Sequence, residues 1–279
     1  MRNGQIAGAA LDVFAAEPTT ESPLFELDPI VVTPHLGAST REAQDKAGEA
    51  IAEQVVLALA GEFVPFAVNI SAVEASETVR PFVPLAERLG RMFSTLNGGL
   101  GRRLDIEYQG GLADFDTSML TLSVLKGLFG AVTEEPVTYV NAPQLAKERG
   151  VEYRESKASA AGDYLNLIVL RGDEHAIAAT LFGGLAKHRI VMVDDHDVHM
   201  PPSKHMLVVR NDDRVGVIMR VSSVLADAGI NIANMDVGQS ASGNTALMVM
   251  AFDDAVPARI IATIREADGV LDVRPVTGA

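Results

Sequence analysis

The chain contains no cysteine. That absence excludes disulfides, thiolate zinc sites and cysteine nucleophiles together, and it fits a cytoplasmic protein. A cationic surface is also lacking: 23 Lys and Arg stand against 37 Asp and Glu, a formal net charge of −14. Phosphate backbones need a basic face, so no nucleic-acid partner is expected. No apolar signal region opens the chain, which begins Met1-Arg-Asn-Gly-Gln. Long hydrophobic runs are missing too. The longest, such as Leu165-Asn-Leu-Ile-Val-Leu170, fall far short of the ~20 residues a membrane span requires, so no membrane partner is expected. No repeat of fixed period and no low-complexity segment is present. What is there is a globular composition, 48% hydrophobic and 22% charged over 279 residues. That length suits about two domains.

Residues 1–62 read as α/β. Ile6 to Phe14 and Ile30-Val-Val-Thr33 are short apolar strands, of the kind a parallel sheet buries on both faces. Ser39-Thr40 offers an N-cap, and a helix is predicted from there to about Ala60, ended by Gly61. Ala47, Ile51, Gln54, Val55, Ala58 and Leu59 form its expected buried stripe. Residues 63–76 read as a connector. From 77 to 200 the pattern is mixed α+β. Helices are predicted over about 78–96, 117–129 and 143–149, and strands over 103–109, 165–170, 178–182 and 190–193.

The last 75 residues give the clearest pattern. A strand over 205–209, a turn, and a helix over 217–228 capped by Gly229 come first. Strands over 230–237 and 245–252, a helix opened by Pro257 and a closing strand over 270–276 follow. That is βαββαβ, a ferredoxin-like arrangement with two helices on one face. The other face of such a sheet is expected to be free to pack against another copy.

Chemistry concentrates near the start. Glu17 and His35 stand just after the carboxyl ends of the two presumed parallel strands, the edge where open α/β sheets bind ligands. A carboxylate beside an imidazole stabilises the protonated ring, so such a histidine can shuttle a proton near neutral pH. Composition alone does not separate this dyad from a capping histidine and a turn glutamate.

The stretches Ala9-Ala-Leu-Asp12-Val-Phe-Ala-Ala-Glu17-Pro18 and Thr33-Pro-His35-Leu-Gly-Ala-Ser39-Thr resemble the closing signature of the D-isomer-specific 2-hydroxy-acid dehydrogenases. The long helix after it, Val68-Asn69-Ile70, Asn141-Ala-Pro143 and the terminal βαββαβ unit are similar to the long form of that family. The resemblance implies three parts. Residues 1–62 are the C-terminal remnant of a doubly wound nucleotide-binding and substrate domain, 63–200 an intervening, allosteric domain, and 201–279 a regulatory ACT domain. It implies NAD-dependent oxidation of 3-phosphoglycerate to 3-phosphohydroxypyruvate in L-serine synthesis. His35 would be the acid/base and Glu17 its partner. Asp12, Gly37 and Ala38 would lie at the nicotinamide. The family's Gly-x-Gly-x-x-Gly loop is absent, and Asn97-Gly-Gly-Leu-Gly101 has the wrong spacing and follows a helix. The acidic ribose reader and the substrate-carboxylate arginine are absent as well. Met1 is therefore expected to begin mid-domain, and the chain alone to be inactive.

In ACT modules the turn after the first strand and the start of the second strand hold an amino acid. The resemblance places Asp213, in Asp213-Arg-Val-Gly216, at the ammonium of an L-serine effector and Asn231 at its carboxylate. The alternative is that Asp213 caps a helix and Asn231 eases a tight strand entry. Intervening domains of this family can bind anions, for which Lys157, Lys187, His188 and Arg189 are the candidates; a solvated face explains the same residues. Asp194-Asp-His196-Asp-Val-His199 alternates like a ligand set but reads better as a hairpin turn, so no metal site is expected. A homo-oligomer assembled through the last two domains is expected. The rival reading is a non-catalytic amino-acid-binding and assembly module.

Overall fold

The computed structural model describes residues 1, 3–68, 75–240, 243 and 245–278. The motif Val68-Asn69-Ile70 falls partly outside them. The chain divides into two compact units, 1–59 and 60–279.

In the first unit, β1 (Ala9–Leu11) pairs in parallel with β2 (Ile30–Val32), with Ala9 opposite Ile30. A single helical turn over Gly37–Ser39 leads into α1 (Arg41–Leu59). The Thr40 hydroxyl accepts the Ala43 amide at 3.3 Å, the cap that Ser39-Thr40 predicts. The expected buried stripe of α1 is not buried. Val55 is 50% and Leu59 85% exposed, and no described residue of this unit is buried. Two three-residue strands are too small a layer to cover a 19-residue helix.

The second unit opens with α2 (Val83–Leu96), β3 (Arg103–Gly110), α3 (Ser118–Gly130), α4 (Ala142–Arg149) and β4 (Glu152–Ala158). Then come β5 (Asn166–Arg171), β6 (Ala176–Phe182), β7 (Lys187–Val193) and β8 (His196–Met200). The strands form one sheet in the order β4-β3-β5-β6-β7-β8, parallel only between β3 and β4. α2 packs on α3 and on β5 and β6. Residues Leu85, Leu89, Met92 and Phe93, predicted at helical spacing, are all buried.

The chain ends with β9 (His205–Asp212), α5 (Val217–Asp227), β10 (Asn234–Gln239), β11 (Thr245–Phe252), α6 (Ala258–Arg265) and β12 (Val270–Val276). The order β10-β11-β9-β12 is antiparallel throughout and matches the predicted βαββαβ unit. Leu207, Val209, Met248, Met250 and Val273 pack with Val221, Leu225 and Ile264 of its two helices.

The opposite face of this sheet is not free. Met206, Val208, Leu247 and Val249 join the same core as Leu89 and Leu96 of α2. The alternation of apolar residues on both faces of β9 and β11 requires two covers, and this chain supplies both. The six-stranded and four-stranded sheets thus pack within one compact unit, residues 60–279. No helix among the described residues is long and apolar enough to cross a membrane.

Candidate active site

Parallel pairing of β1 and β2 puts the residues that follow them side by side. Asp12 follows β1, and Thr33 follows β2. The His35 amide donates to the Asp12 carbonyl oxygen at 2.9 Å. The Asp12 side chain accepts the Leu36 amide at 2.7 Å, the Gly37 amide at 2.6 Å and the Thr33 hydroxyl. These donors hold its carboxyl below the usual carboxylate range, the Thr33 hydroxyl foremost. Asp12 therefore fixes the turn that carries His35 from both backbone and side chain. That turn needs fixing: His35 has φ of +57°, a left-handed conformation costly for a residue with a Cβ.

Glu17 is held at both oxygens. Oε1 accepts the Phe14 amide at 2.8 Å, and Oε2 lies 2.6 Å from His35 Nδ1. The Phe14 amide, then His35, lowers the Glu17 carboxyl from its ordinary value. The hydrogen bond to Glu17, and then its charge, raises the His35 imidazole above its ordinary 6.5. An ionised carboxylate only accepts, so Nδ1 carries the hydrogen and Nε2 is the nitrogen left to exchange a proton. The His35 side chain is 55% exposed. It opens on a cavity of about 450 Å³, walled also by Phe14 and Phe25, whose rings meet edge to face at 5.6 Å. Phe25 escaped the sequence reading because a lone aromatic between turn residues has no period to betray it.

Gly37 and Ala38 lie in the helical turn beside this cavity, and the Gly37 amide is already committed to Asp12. A Cβ at Gly37 would sit 2.8 Å from Asp12 Oδ2, so the close approach requires glycine there.

The other predicted sites fare differently. Asp213 follows the end of β9, where its carboxylate accepts Gln239 Nε2 at 3.0 Å. Asn231 precedes β10, which runs parallel to β9 across β11. The two residues therefore lie at opposite ends of the sheet's strands, separated by the run of β9, roughly 25 Å at 3.3 Å per residue. Spacing of 18 residues does not bring them together in one chain, because the strand–helix–strand crossover returns to the end of the sheet where β9 began. Lys157 sits on edge strand β4, while Lys187, His188 and Arg189 sit on β7, four positions away, roughly 19 Å. They form no single anion cluster. Lys157 instead donates to the Phe115 carbonyl, and Arg189 lies over the Phe182 ring. His188 Nδ1 faces Arg88 at 3.3 Å, and burial and that charge lower its pKa. Asp194 and Asp195 make the turn between β7 and β8. Asp194 is bound to His175 and Asp195 to His196.

Comparison with known proteins follows this architecture. Residues 1–37 match the family described as D-isomer specific 2-hydroxyacid dehydrogenase, NAD binding domain. Residues 78–194 match the D-3-phosphoglycerate dehydrogenase intervening domain, and 205–269 match the ACT domain. The D-3-phosphoglycerate dehydrogenase of Mycobacterium tuberculosis is 41% identical over 259 residues, covering 91% of this chain and 49% of the relative. That of Synechocystis sp. is 38% identical over 280 residues, covering 98% and 50%. That of Archaeoglobus fulgidus is 36% identical over 281 residues, covering 98% and 53%. The chain spans about half the length of the curated relatives it matches, and over that half it is similar to D-3-phosphoglycerate dehydrogenases.

Proposed function

We propose that this chain carries the proton-transfer dyad and the regulatory domains of a D-3-phosphoglycerate dehydrogenase, which oxidises 3-phosphoglycerate with NAD. The single observation that carries the reading is the 2.6 Å contact of His35 with Glu17 at the carboxyl ends of two parallel strands, beside an open cavity. His35 Nε2 takes the proton of the substrate C2 hydroxyl, and Glu17 neutralises the imidazolium that forms. NAD, when bound, accepts the hydride, chemistry that the cofactor supplies. The residues fit its nicotinamide end. Among the described residues Asp12 Oδ2 accepts the Gly37 amide alone, which leaves lone-pair capacity for an amide donor. No Gly-x-Gly-x-x-Gly loop occurs in the 279 residues, so its pyrophosphate is not held by them.

The test joins residues 1–279 to the preceding half of the Mycobacterium tuberculosis relative and follows NADH formation from 3-phosphoglycerate. The fusion turns over, and residues 1–279 alone do not. His35→Ala in the fusion lowers kcat by about 10²–10⁴-fold. A His35→Ala fusion as fast as its parent would overturn the assignment.

The ACT domain supplies an amino-acid effector site, and L-serine is the effector we assign to it. Because Asp213 and Asn231 stand at opposite ends of the strands, the site takes Asp213 from one copy and Asn231 from another. The protein therefore works as a homo-oligomer. A second reading, a non-catalytic amino-acid-binding and assembly module, is favoured by one observation: among the described residues, every buried one lies in 60–279. An inactive fusion that still binds L-serine would select it.

A further inference from the structure

Where the four-stranded sheet meets the turns of the six-stranded sheet, the second unit leaves a cavity of about 330 Å³. This is the lower end of the size range of small-ligand sites. Its floor is apolar, made by Leu96 at the end of α2 with Val208 and Leu247 of the sheet. Its walls are charged with both signs. The β9–β12 register sets Asp272 directly opposite Arg210, and Arg274 is the next residue on that face of β12. Across from them stand Glu174 and His175, in the β5–β6 turn, and Asp194, in the β7–β8 turn.

The internal pairings decide what the cavity can accept. Arg274 Nε donates to Asp272 at 2.6 Å, and His175 Nδ1 lies 3.1 Å from Asp194. The first pair cancels its charges, and the second occupies an Asp194 oxygen. Arg210, whose charge also acts on Asp272 opposite it, and Glu174 have no hydrogen bond or close ion pair among the described residues. In addition, His175 Nε2 is buried with no hydrogen-bond partner among the described residues. Buried polar atoms are rarely left so, which marks this wall as having unused polar capacity. A phosphate or simple carboxylate would meet three carboxylates against two guanidinium groups. A molecule bearing both charges and an apolar body meets a match on every side.

We infer that this cavity binds a small zwitterion, an α-amino acid with an apolar side chain. Arg210 takes its carboxylate, Glu174 its ammonium, and Leu96, Val208 and Leu247 its side chain. A guanidinium fork suits a carboxylate's two oxygens. The site is separate from the dyad of Glu17 and His35 and from Asp213, which does not line it. Its position between a regulatory sheet and the turns of the neighbouring sheet lets a ligand tie the two together.

The test is titration calorimetry of the 279-residue chain with L-valine, set beside isobutyrate and isobutylamine, which each keep one charge. Saturable heat is expected with L-valine, and affinity at least tenfold weaker for each single-charge analogue. Arg210→Ala and Glu174→Gln, both at exposed positions, each weaken L-valine binding by about tenfold with unchanged thermal unfolding. Asp213→Ala leaves it unchanged. Absence of heat at about 10 mM L-valine would overturn the inference, as would isobutyrate binding equally well. Unchanged affinity in both cavity variants would do the same. Loss in Asp213→Ala would move the heat to the ACT turn and also overturn it, whatever the fate of the dehydrogenase reading.

Discussion

Gly238 in β10 lies against the carbonyl oxygen of Asp197 in β8, so closely that a Cβ at 238 would sit 2.2 Å from it. Two positions away, the His199 amide donates to Asp236 at 2.6 Å. The edges of the two sheets of the second unit are joined there.

Gly238→Ala therefore forces the seam apart. Overpacking of this kind costs about 1–3 kcal/mol, and Tm falls by roughly 2–4 °C per kcal/mol in a domain of this size. Thermal unfolding should show a loss of several degrees. Gly184→Ala, where no heavy atom lies within 4 Å of the added Cβ, should stay within about 1 °C. Equal melting of both variants would mean that the seam contributes nothing.

Asp12→Asn tests what fixes His35. An amide cannot accept at both ends, so one of the bonds from Leu36, Gly37 and Thr33 is lost. Amide exchange at Leu36 and Gly37 should rise, and the left-handed His35 turn should lose its single conformation. Unaltered exchange at both amides would show that Asp12 does not hold the turn.

L-serine binding should depend on association. If Asp213 and Asn231 meet only across two copies, calorimetric heat disappears on dilution in parallel with dissociation measured by sedimentation. Asp213→Ala weakens binding by about tenfold or more, as expected for a charge-assisted hydrogen bond. Saturable serine binding to a monomer, abolished by Asp213→Ala, would contradict the two-copy site.

Much of this was readable in the residues, and the failures have physical causes. Helices α2 and α3 and strands β5, β9 and β11 announced themselves because buried apolar side chains recur at their periods. Strand β4, Glu-Tyr-Arg-Glu-Ser-Lys-Ala, did not: it is an edge strand exposed along six of its seven residues, so no alternation marks it. The stripe on α1 was visible as a pattern, but a pattern names a face and not its cover. The dyad was legible because Glu17 and His35 lie in the loops that follow adjacent parallel strands. The role of Asp12 in holding the turn was not, since it rests on backbone amides that carry no sequence signal. The placing of Asp213 beside Asn231 failed on strand direction, which residue spacing does not encode.

The most direct measurement follows the titration of His35 by NMR, in the chain and in Glu17→Gln. Glu17 raises the His35 pKa and His35 lowers that of Glu17. The His35 part of the stabilisation is full below the unfolded imidazole value, near 6.5, and is lost as pH rises through the raised folded value. The Glu17 part is present above its unfolded value, near 4.5, and is lost as pH falls through its lowered one. The ion pair is thus complete in the window between, and the imidazole becomes free to take a proton as pH rises through its raised folded value. The account predicts a His35 midpoint above 6.5 in the chain and a clear fall toward 6.5 in Glu17→Gln. An unchanged midpoint in the variant would mean that the 2.6 Å contact does not tune the imidazole, and the proposed acid/base would lose its basis.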